Sequence, residues 1–204
     1  PHGQPLTYAQ FIAPALLASS AMNGALADSM MNVFFKLKFA KLYDGMLATS
    51  LGPMDVALGE IGWALTRGGM YSVAFVVVML AMGLILSPWA LLLVPAALLI
   101  AFGFAALGMA VTTFVRSWQD IEVVNLLILP MFLFSGTFYG LNAYPGWLQF
   151  VVKCLPLHHG VAVMRALAYG DISAGLILHI CYFVVMAGAG LWVTTRRLGI
   201  LLMT

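Results

Sequence analysis

Few side chains in this sequence could do chemistry, and most of them lie in one stretch near the carboxy-terminal end. His158 and His159 are adjacent, and Arg165 and Asp171 follow them. Neighbouring residues on a helix point in different directions, so the His pair predicts only a weak metal chelator. A lipid-acting enzyme needs a nucleophile beside a base, and this group has no such arrangement. We therefore expect no catalytic residue and no metal site.

The same stretch is better explained as part of an outer gate. We expect His158 and His159 at the outer headgroup level. Arg165 lies in an apolar setting, where it either contacts a lipid phosphate or pairs locally with Asp171, and local pairing is the favoured alternative. The two cysteines, Cys154 and Cys181, have no CxxC spacing and no cluster of partners, so neither a zinc site nor a disulfide is indicated.

Three other polar side chains stand within long apolar runs: Asn23, Asp28 and His179. An acid inside a membrane span is costly and is a functional candidate by default. Asp28 is expected either to pair with another helix or to line a transport pathway with Asn23. His179 has no acidic companion, so we expect a hydrogen-bonded packing residue rather than a proton carrier.

The composition indicates that the solvent of these residues is a lipid bilayer. Hydrophobic residues make up 63% of the 204 residues and charged residues only 8%, with a mean hydropathy of +1.04. That leaves too little polar surface for a water-soluble domain. The net charge of +2 is small and dispersed, so no nucleic-acid partner is expected.

Five apolar runs are long enough to cross the membrane at about 20 residues per crossing. They cover about residues 8–33, 70–86, 89–115, 123–141 and 174–195. Helices are expected throughout, because a bilayer admits only helices or closed barrels and the period of a strand is absent. The chain is thus predicted to be an all-α polytopic membrane protein with a single transmembrane domain over residues 1–204.

Lysine and arginine set the orientation, because cytoplasmic loops retain them. Seven of these cations fall in the connections that five spans place on one side, and only Lys153 and Arg165 fall on the other. The amino-terminal end should therefore be outside. We expect one further span before residue 1, which gives six crossings with both ends in the cytoplasm of a bacterial inner membrane.

Two connections are more structured than simple loops. The cytoplasmic segment 34–69 is amphipathic, and after the break at Gly52 and Pro53 residues 54–65 should form a short helix with Asp55 near its start. Such a helix could dock in a groove on another protein. The outer segment 142–172 is apolar but interrupted by Pro and Gly, which predicts two short re-entrant helices.

Several motifs together carry a resemblance to a known family. The carboxy-terminal half resembles the signature of ABC-2 type permeases, most closely the lipo-oligosaccharide and nodulation-factor export branch. The first half also resembles that branch, through Tyr8 and Arg67 and through the motifs below. The motifs are residues 11–14 (FIAP), 41–49 (KLYDGMLAT), 59–63 (GEIGW), 132–139 (FLFSGTFY), 145–149 (PGWLQ), 155–159 (LPLHH) and 164–167 (MRAL).

The resemblance implies a type V exporter-like bundle. Two permease subunits, identical or closely related, would enclose a lateral pathway open to membrane lipid, with one of two ATP-binding subunits beneath each. No phosphate loop of the form GxxxxGKS or GxxxxGKT occurs, so ATP and Mg²⁺ would be bound by that partner. This chain would hold no cofactor and would not itself be an enzyme. The cargo would be an amphipathic glycolipid-like molecule or, alternatively, a drug.

The resemblance also assigns roles to residues. Segment 54–65 would be the coupling helix that contacts the ATPase. Its coupling residues would be Gly52, Pro53, Asp55, Glu60 and Trp63. The outer gate and re-entrant region would contain Ser135, Gly136, Phe138, Tyr139, Pro156, His158, His159 and Arg165.

Overall fold

The protein is a bundle of α-helices in a computed structural model that describes residues 6–202. No strand occurs in this range, and the predicted all-α fold class is confirmed. The helices are α1 (Tyr8–Ala27), α2 (Val33–Lys38), α3 (Leu42–Leu47), α4 (Pro53–Ala81), α5 (Leu93–Thr112), α6 (Trp118–Phe134), α7 (Gly146–Cys154), α8 (Pro156–Tyr169) and α9 (Ala174–Leu202).

The bundle has two ends, which are named here from the predicted orientation. The inner end carries residues 28–67 and 112–122, where α1 ends and α4 and α6 begin. The outer end carries residues 6–12, 82–90 and 135–175. The two ends are linked by α1, α4, α5, α6 and α9.

Helix α1 begins with a reciprocal cap and continues almost without interruption into α2. The Thr7 hydroxyl accepts a hydrogen bond from the Gln10 N–H at 3.3 Å, and the Gln10 side chain accepts one from the Thr7 N–H at 3.0 Å. Residues Asp28–Asn32 form a π-helical turn between α1 and α2. Such a turn re-aims the side chains that follow it, and here it contains Asp28.

Helix α4 corrects the prediction of a short helix over 54–65 followed by a separate span over 70–86. The structure has one helix of 29 residues, Pro53–Ala81. No proline interrupts it after Pro53, and it has buried residues on both sides of the Gly68–Gly69 pair, with Ile61 and Ala64 before the pair and Ser72, Val76 and Met79 after it. The Gly68–Gly69 pair therefore remains helical, although its intrinsic propensity is poor.

Helix α5 lies at the centre of the bundle and packs against α1, α4, α8 and α9. Small residues allow its closest approach: a Cβ atom on Gly190 of α9 would stand 2.7 Å from the backbone carbonyl carbon of Ala106. Phe104 and Phe183 pack across the same interface, with ring centroids 5.9 Å apart. The small residues in these two helices therefore serve packing inside one bundle.

Three helical segments in the described range are long and apolar enough to cross a bilayer. They are Pro53–Ala81, which is α4; Pro88–Thr112, which is α5 with the short 3-10 helix Pro88–Leu92 before it; and Ala174–Leu201 of α9. The pair α7 and α8, bent by 86° at Leu155, would make a fourth if it forms one broken span. The other two predicted crossings correspond to α1, which is interrupted by polar residues such as Asn23, and to α6, which has 17 residues.

Candidate functional site

The amino-terminal end of α4 contains the predicted coupling residues. Gly52 precedes the helix in extended conformation and Pro53 opens it, where its missing N–H costs nothing. The Asp55 carboxylate accepts a hydrogen bond from the Gly52 N–H at 2.8 Å. Asp55 is exposed, so one of its oxygens caps the helix while the group remains accessible to another protein.

Two ion pairs tie this part of α4 to α2 and to the π-helical turn that precedes α2. Lys36 Nζ lies 2.7 Å from Glu60 Oε1, and Arg67 forms an ion pair with Asp28. The Glu60 side chain is only 13% exposed and faces α2. Glu60 therefore braces the coupling segment from inside rather than presenting its charge at the surface.

The opposite side of the same turns is uncovered. We call it the inner-edge face, and it consists of Met54, Asp55, Leu58, Gly59, Gly62 and Trp63, all of which are exposed. These positions form two adjacent rows spaced four residues apart, which places them on one side of the helix. Trp63 is 60% exposed. The face is mostly apolar, with Asp55 at its edge.

Tyr43 on α3 is a further inner-end residue, which the sequence did not single out. Its side chain is fully buried, and its hydroxyl makes no hydrogen bond with the residues that the structure describes. Burial, together with the nearby Glu60 carboxylate, raises the pKa of Tyr43. The ring holds α3 against the start of α4.

The two polar residues predicted for the pathway are separated by the structure. Asp28 pairs with Arg67 and accepts a weaker hydrogen bond from the Asn32 side chain at 3.4 Å. Asn23 instead lines a cavity of about 450 Å³ between α1, α4 and Phe132. Ser19, Ser20 and Ser72 line the same cavity. Asp28 was predicted either to pair with another helix or to line a pathway with Asn23, and in the structure it pairs with another helix.

The outer end is organised by the turn Ser135–Gly136–Thr137. Gly136 has φ +84°, a left-handed conformation that glycine adopts without strain. The Ser135 and Thr137 hydroxyls are buried and hydrogen-bonded to each other at 2.8 Å. His158 Nδ1 lies 3.3 Å from the Ser135 carbonyl oxygen, so this histidine links the turn to α8.

Arg165 does not pair with Asp171, which corrects the favoured prediction. Its Nε donates to the Phe11 carbonyl at 3.3 Å and its Nη2 to the Thr137 carbonyl at 3.1 Å. The guanidinium carbon also lies 3.8 Å from the centre of the Phe11 ring. Arg165 therefore joins α1, the 135–137 turn and α8. Asp171 is exposed.

His159 contacts a different partner from His158. Its Nδ1 lies 2.6 Å from Nδ1 of His179 on α9, and its ring stacks on Tyr182 with centroids 4.2 Å apart. His179 is thus hydrogen-bonded in the packing between α8 and α9. No group of three or more potential metal ligands occurs within residues 6–202.

The remaining predicted gate residues have smaller roles in the geometry. Pro156 opens α8, and the Phe138 ring packs edge-on against Phe132 at 5.2 Å. Tyr139 is exposed. Sequence reasoning missed Tyr169, whose hydroxyl donates to the Gln10 carbonyl at 3.1 Å. The available signal was an aromatic residue with a hydroxyl group two residues after the MRAL motif.

The described part of the chain is thus an all-helical bundle with several helices long enough to span a membrane and an open groove beside Asn23. The model of the family described as ABC-2 type transporter matches residues 3–169. The chain belongs to this family.

Individual relatives agree with that assignment. Nodulation protein J of Rhizobium meliloti (strain 1021) is 30% identical over 187 residues, which covers 88% of this chain and 71% of the relative. Nodulation protein J of Rhizobium leguminosarum bv. viciae is 29% identical, with coverage of 89% and 71%. Inner membrane transport permease YadH of Escherichia coli (strain K12) is 25% identical, with coverage of 80% and 63%. No solved structure gives a significant match.

Proposed function

We propose that this chain is the membrane-spanning subunit of an ABC exporter in a bacterial cytoplasmic membrane. It moves an amphipathic, glycolipid-like molecule outward, and a separate nucleotide-binding subunit hydrolyses the ATP. The family assignment and the relatives named Nodulation protein J support this proposal. The working complex contains two permease subunits and two nucleotide-binding subunits, which bind ATP and Mg²⁺.

One observation carries the proposal: a single rigid helix links the inner-edge face to the cavity. The first turns of α4 bear the inner-edge face, and its middle turns supply Gly68, Tyr71 and Ser72 to the wall of the Asn23 cavity. Because α4 is continuous, a displacement at its amino-terminal end moves that wall as well. A partner that pushes on the inner-edge face can therefore change the shape of the cavity.

The two ion pairs explain how such a push is shared with the neighbouring helix. The Lys36–Glu60 and Asp28–Arg67 pairs lie about two turns apart on α4, and both reach back to the α1–α2 unit. The walls that face each other across the cavity, α1 and α4, are thus joined at the inner end. A push on the inner-edge face is therefore passed to α1 as well as to α4.

The cavity lining favours an amphipathic cargo over a purely apolar drug, which is the second candidate within the same family. Ser20 and Asn23 offer a hydroxyl and an amide group beside Leu16, Phe75 and Phe132, whereas the Ser19 and Ser72 hydroxyls already donate to the Ala15 and Gly68 carbonyls. Polar groups in such a wall would be left unpaired by a wholly apolar molecule, at a cost of about 1–3 kcal/mol each. A cargo with a hydrogen-bonding head avoids that cost.

Charge reversal at Asp55 tests the proposal in vesicles that contain the permease and its ATPase. We expect Asp55→Lys to leave the protein in the membrane and to uncouple ATP hydrolysis from export, because the exposed charge at the inner-edge face is reversed. Asp55→Asn keeps a capping oxygen and should retain most of the export. Unchanged export in Asp55→Lys would contradict the coupling role.

Asp120 provides the matched control because it caps α6 in the same way. Its Oδ2 accepts hydrogen bonds from the Arg116 and Ser117 N–H groups at 2.9 and 3.1 Å, and these bonds lower the pKa of Asp120. Asp120→Lys removes the same kind of cap outside the inner-edge face. Equal uncoupling by both variants would assign the effect to lost capping rather than to docking.

A further inference from the structure

Two depressions meet along the seam between α8 and α9 at the outer end. The first, of about 330 Å³, has polar side chains in its lining: Arg165, Tyr169, Asp171, Ser173 and His179. The second, of about 600 Å³, is lined mainly by apolar parts of α9: Leu178, Cys181, Tyr182, Val185, Met186 and Ala189. Neither overlaps the Asn23 cavity, which lies between α1 and α4.

The His159–His179 contact is where the two depressions adjoin. His179 lines the polar one and His159 lines the apolar one, and their Nδ1 atoms are 2.6 Å apart. Stacking on Tyr182 holds the His159 ring in place. The polar depression lies toward the 170–173 loop, and the apolar one continues inward along α9. A polar depression at the outer end thus lies beside an apolar one further inward, which is the order of head and chain in an amphipathic molecule whose head faces outward.

The apolar part is long enough to hold an acyl chain. Leu178, Tyr182, Val185 and Ala189 recur on one side of α9. At the rise of an α-helix, this row spans roughly 16 Å. Leu178 and Val185 are among the most exposed large side chains of α9, at 68% and 70%. A chain lying in this groove would cover both.

The polar part indicates what kind of head fits. Arg165 supplies a cation with more donors than its two carbonyl partners take up. Asp171 supplies an exposed carboxylate on the same lining. A phosphate head would be attracted by Arg165 but repelled by Asp171. A hydroxyl group both accepts from a guanidinium and donates to a carboxylate, so a hydroxyl-rich, uncharged head satisfies both.

We propose that the α8–α9 seam is a binding site for an amphiphile with an uncharged, hydroxyl-rich head, such as a glycosyl group, and one acyl chain. The head occupies the depression with Arg165 and Asp171, and the chain lies along Leu178–Ala189 of α9. That the natural occupant is the exported cargo, leaving at the outer end, rests on the proposed function. The site itself does not, because it requires no ATPase.

Photolabelling tests the site with the full chain in phosphatidylcholine nanodiscs. The probe is dodecyl maltoside with a photoreactive diazirine near the end of its chain. We expect mass spectrometry to locate the label within residues 178–189. Unlabelled dodecyl maltoside should compete at least ten times better than dodecyl phosphate, which has the same chain and an anionic head, while free maltose should not compete. Equal competition by dodecyl phosphate would show ordinary contact with the alkyl chain and overturn the proposal.

Variants separate the two halves of the site. Asp171→Ala should weaken competition by dodecyl maltoside about five-fold, the equivalent of one hydrogen bond, and should strengthen competition by dodecyl phosphate, because the carboxylate that repels the phosphate is gone. Val185→Trp fills the groove and should reduce labelling at least five-fold. Val184→Trp is the matched control, because Val184 is exposed on the next position but does not line the groove. Equal loss in both tryptophan variants would contradict the assignment.

The photolabelling result can be obtained without any transport by the protein. If labelling follows these expectations while ATP-driven export of glycolipid fails with the partner present, the site stands and the proposed function falls. If export succeeds and labelling is absent from residues 178–189, the proposed function stands and this site falls.

Discussion

The two ends of the bundle are held together by different kinds of contact. At the inner end, Lys36–Glu60 and Asp28–Arg67 join side chains of opposite charge, and the two cations are partly exposed. At the outer end, Arg165 and Tyr169 donate to backbone carbonyls of α1 and of the 135–137 turn. An ion pair between two side chains can break and re-form while both backbones stay in place, whereas a carbonyl cannot move without its helix.

We infer from this difference that the inner end is mobile and the outer end is rigid. A partly exposed ion pair contributes about 0–1 kcal/mol, whereas a hydrogen bond from a charged donor contributes about 1.5–3 kcal/mol. The inner end can therefore adjust to a docking partner at small cost. The outer end keeps the amino-terminal turn of α1 fixed to α8. Each prediction below is a substitution that tests this contrast in the purified chain.

The largest effect is expected from Arg165→Ala. It removes two charge-assisted hydrogen bonds and the contact with the Phe11 ring, so we expect a loss of about 3 kcal/mol in the free energy of unfolding. Thermal unfolding in detergent measures it. Arg165→Lys should recover less than half of this loss, because a single ammonium cannot reach the Phe11 and Thr137 carbonyls together. Full recovery by lysine would contradict the two-carbonyl role.

At the inner end, Lys36→Glu should cost about 2 kcal/mol, because two carboxylates then face each other and Glu60 is largely buried. The double variant Lys36→Glu with Glu60→Lys restores opposite charges and should recover most of the stability. No such exchange is available to Arg165. Failure of the double variant to recover would mean that the inner pair is not interchangeable, and the contrast between the ends would be lost.

Tyrosine can be replaced by phenylalanine at both ends, which compares the two ends directly. The expected changes in stability are smaller than those above. Tyr169→Phe removes a hydrogen bond to the Gln10 carbonyl and should cost about 1 kcal/mol. Tyr43→Phe removes a buried hydroxyl that has no partner among the described residues, so its stability should stay within about 0.5 kcal/mol of the wild type. A larger loss for Tyr43→Phe than for Tyr169→Phe in denaturant titrations would reverse the comparison.

The smallest effect is expected at the cap of α4. Asp55→Asn keeps an oxygen that can accept from the Gly52 N–H, so the loss should be only a few tenths of a kcal/mol. Asp55→Ala removes the acceptor and should cost about 1 kcal/mol. Amide hydrogen exchange at the first turn of α4 reports the difference directly. Equal exchange in the two variants would show that Asp55 does not cap the helix.

Apolar runs and capping residues predicted much of the fold from the sequence alone. The start of α4 at Gly52 and Pro53 and the helical content follow from local chemistry. The continuity of α4 does not, because Gly68 and Gly69 have poor helix propensity and the packing of the buried residues on either side of them is not visible in the sequence.

Partners of the candidate residues were harder to predict. Lys36 and Glu60 are separated by 24 residues and Asp28 and Arg67 by 39, so their pairing depends on how helices pack. Arg165 binds backbone carbonyls. Every residue has one, so the sequence cannot indicate which carbonyls are the partners. His159 and His179 meet only because α8 and α9 lie side by side.

The central claim is that the inner-edge face lies in the cytoplasm, where an ATPase can reach it. Two glycines with open space around their Cα atoms, Gly59 at this face and Gly140 at the outer end, accept a cysteine without displacing neighbours. The background is a chain whose exposed Cys154 and Cys181 are replaced by serine.

Labelling with a membrane-impermeant maleimide then gives the most direct measurement. In spheroplasts we predict that Gly140→Cys is labelled and Gly59→Cys is not. In inverted vesicles we predict labelling of Gly59→Cys, reduced when the nucleotide-binding subunit is bound. Labelling of Gly59→Cys in intact spheroplasts would contradict the orientation and the proposed coupling with it.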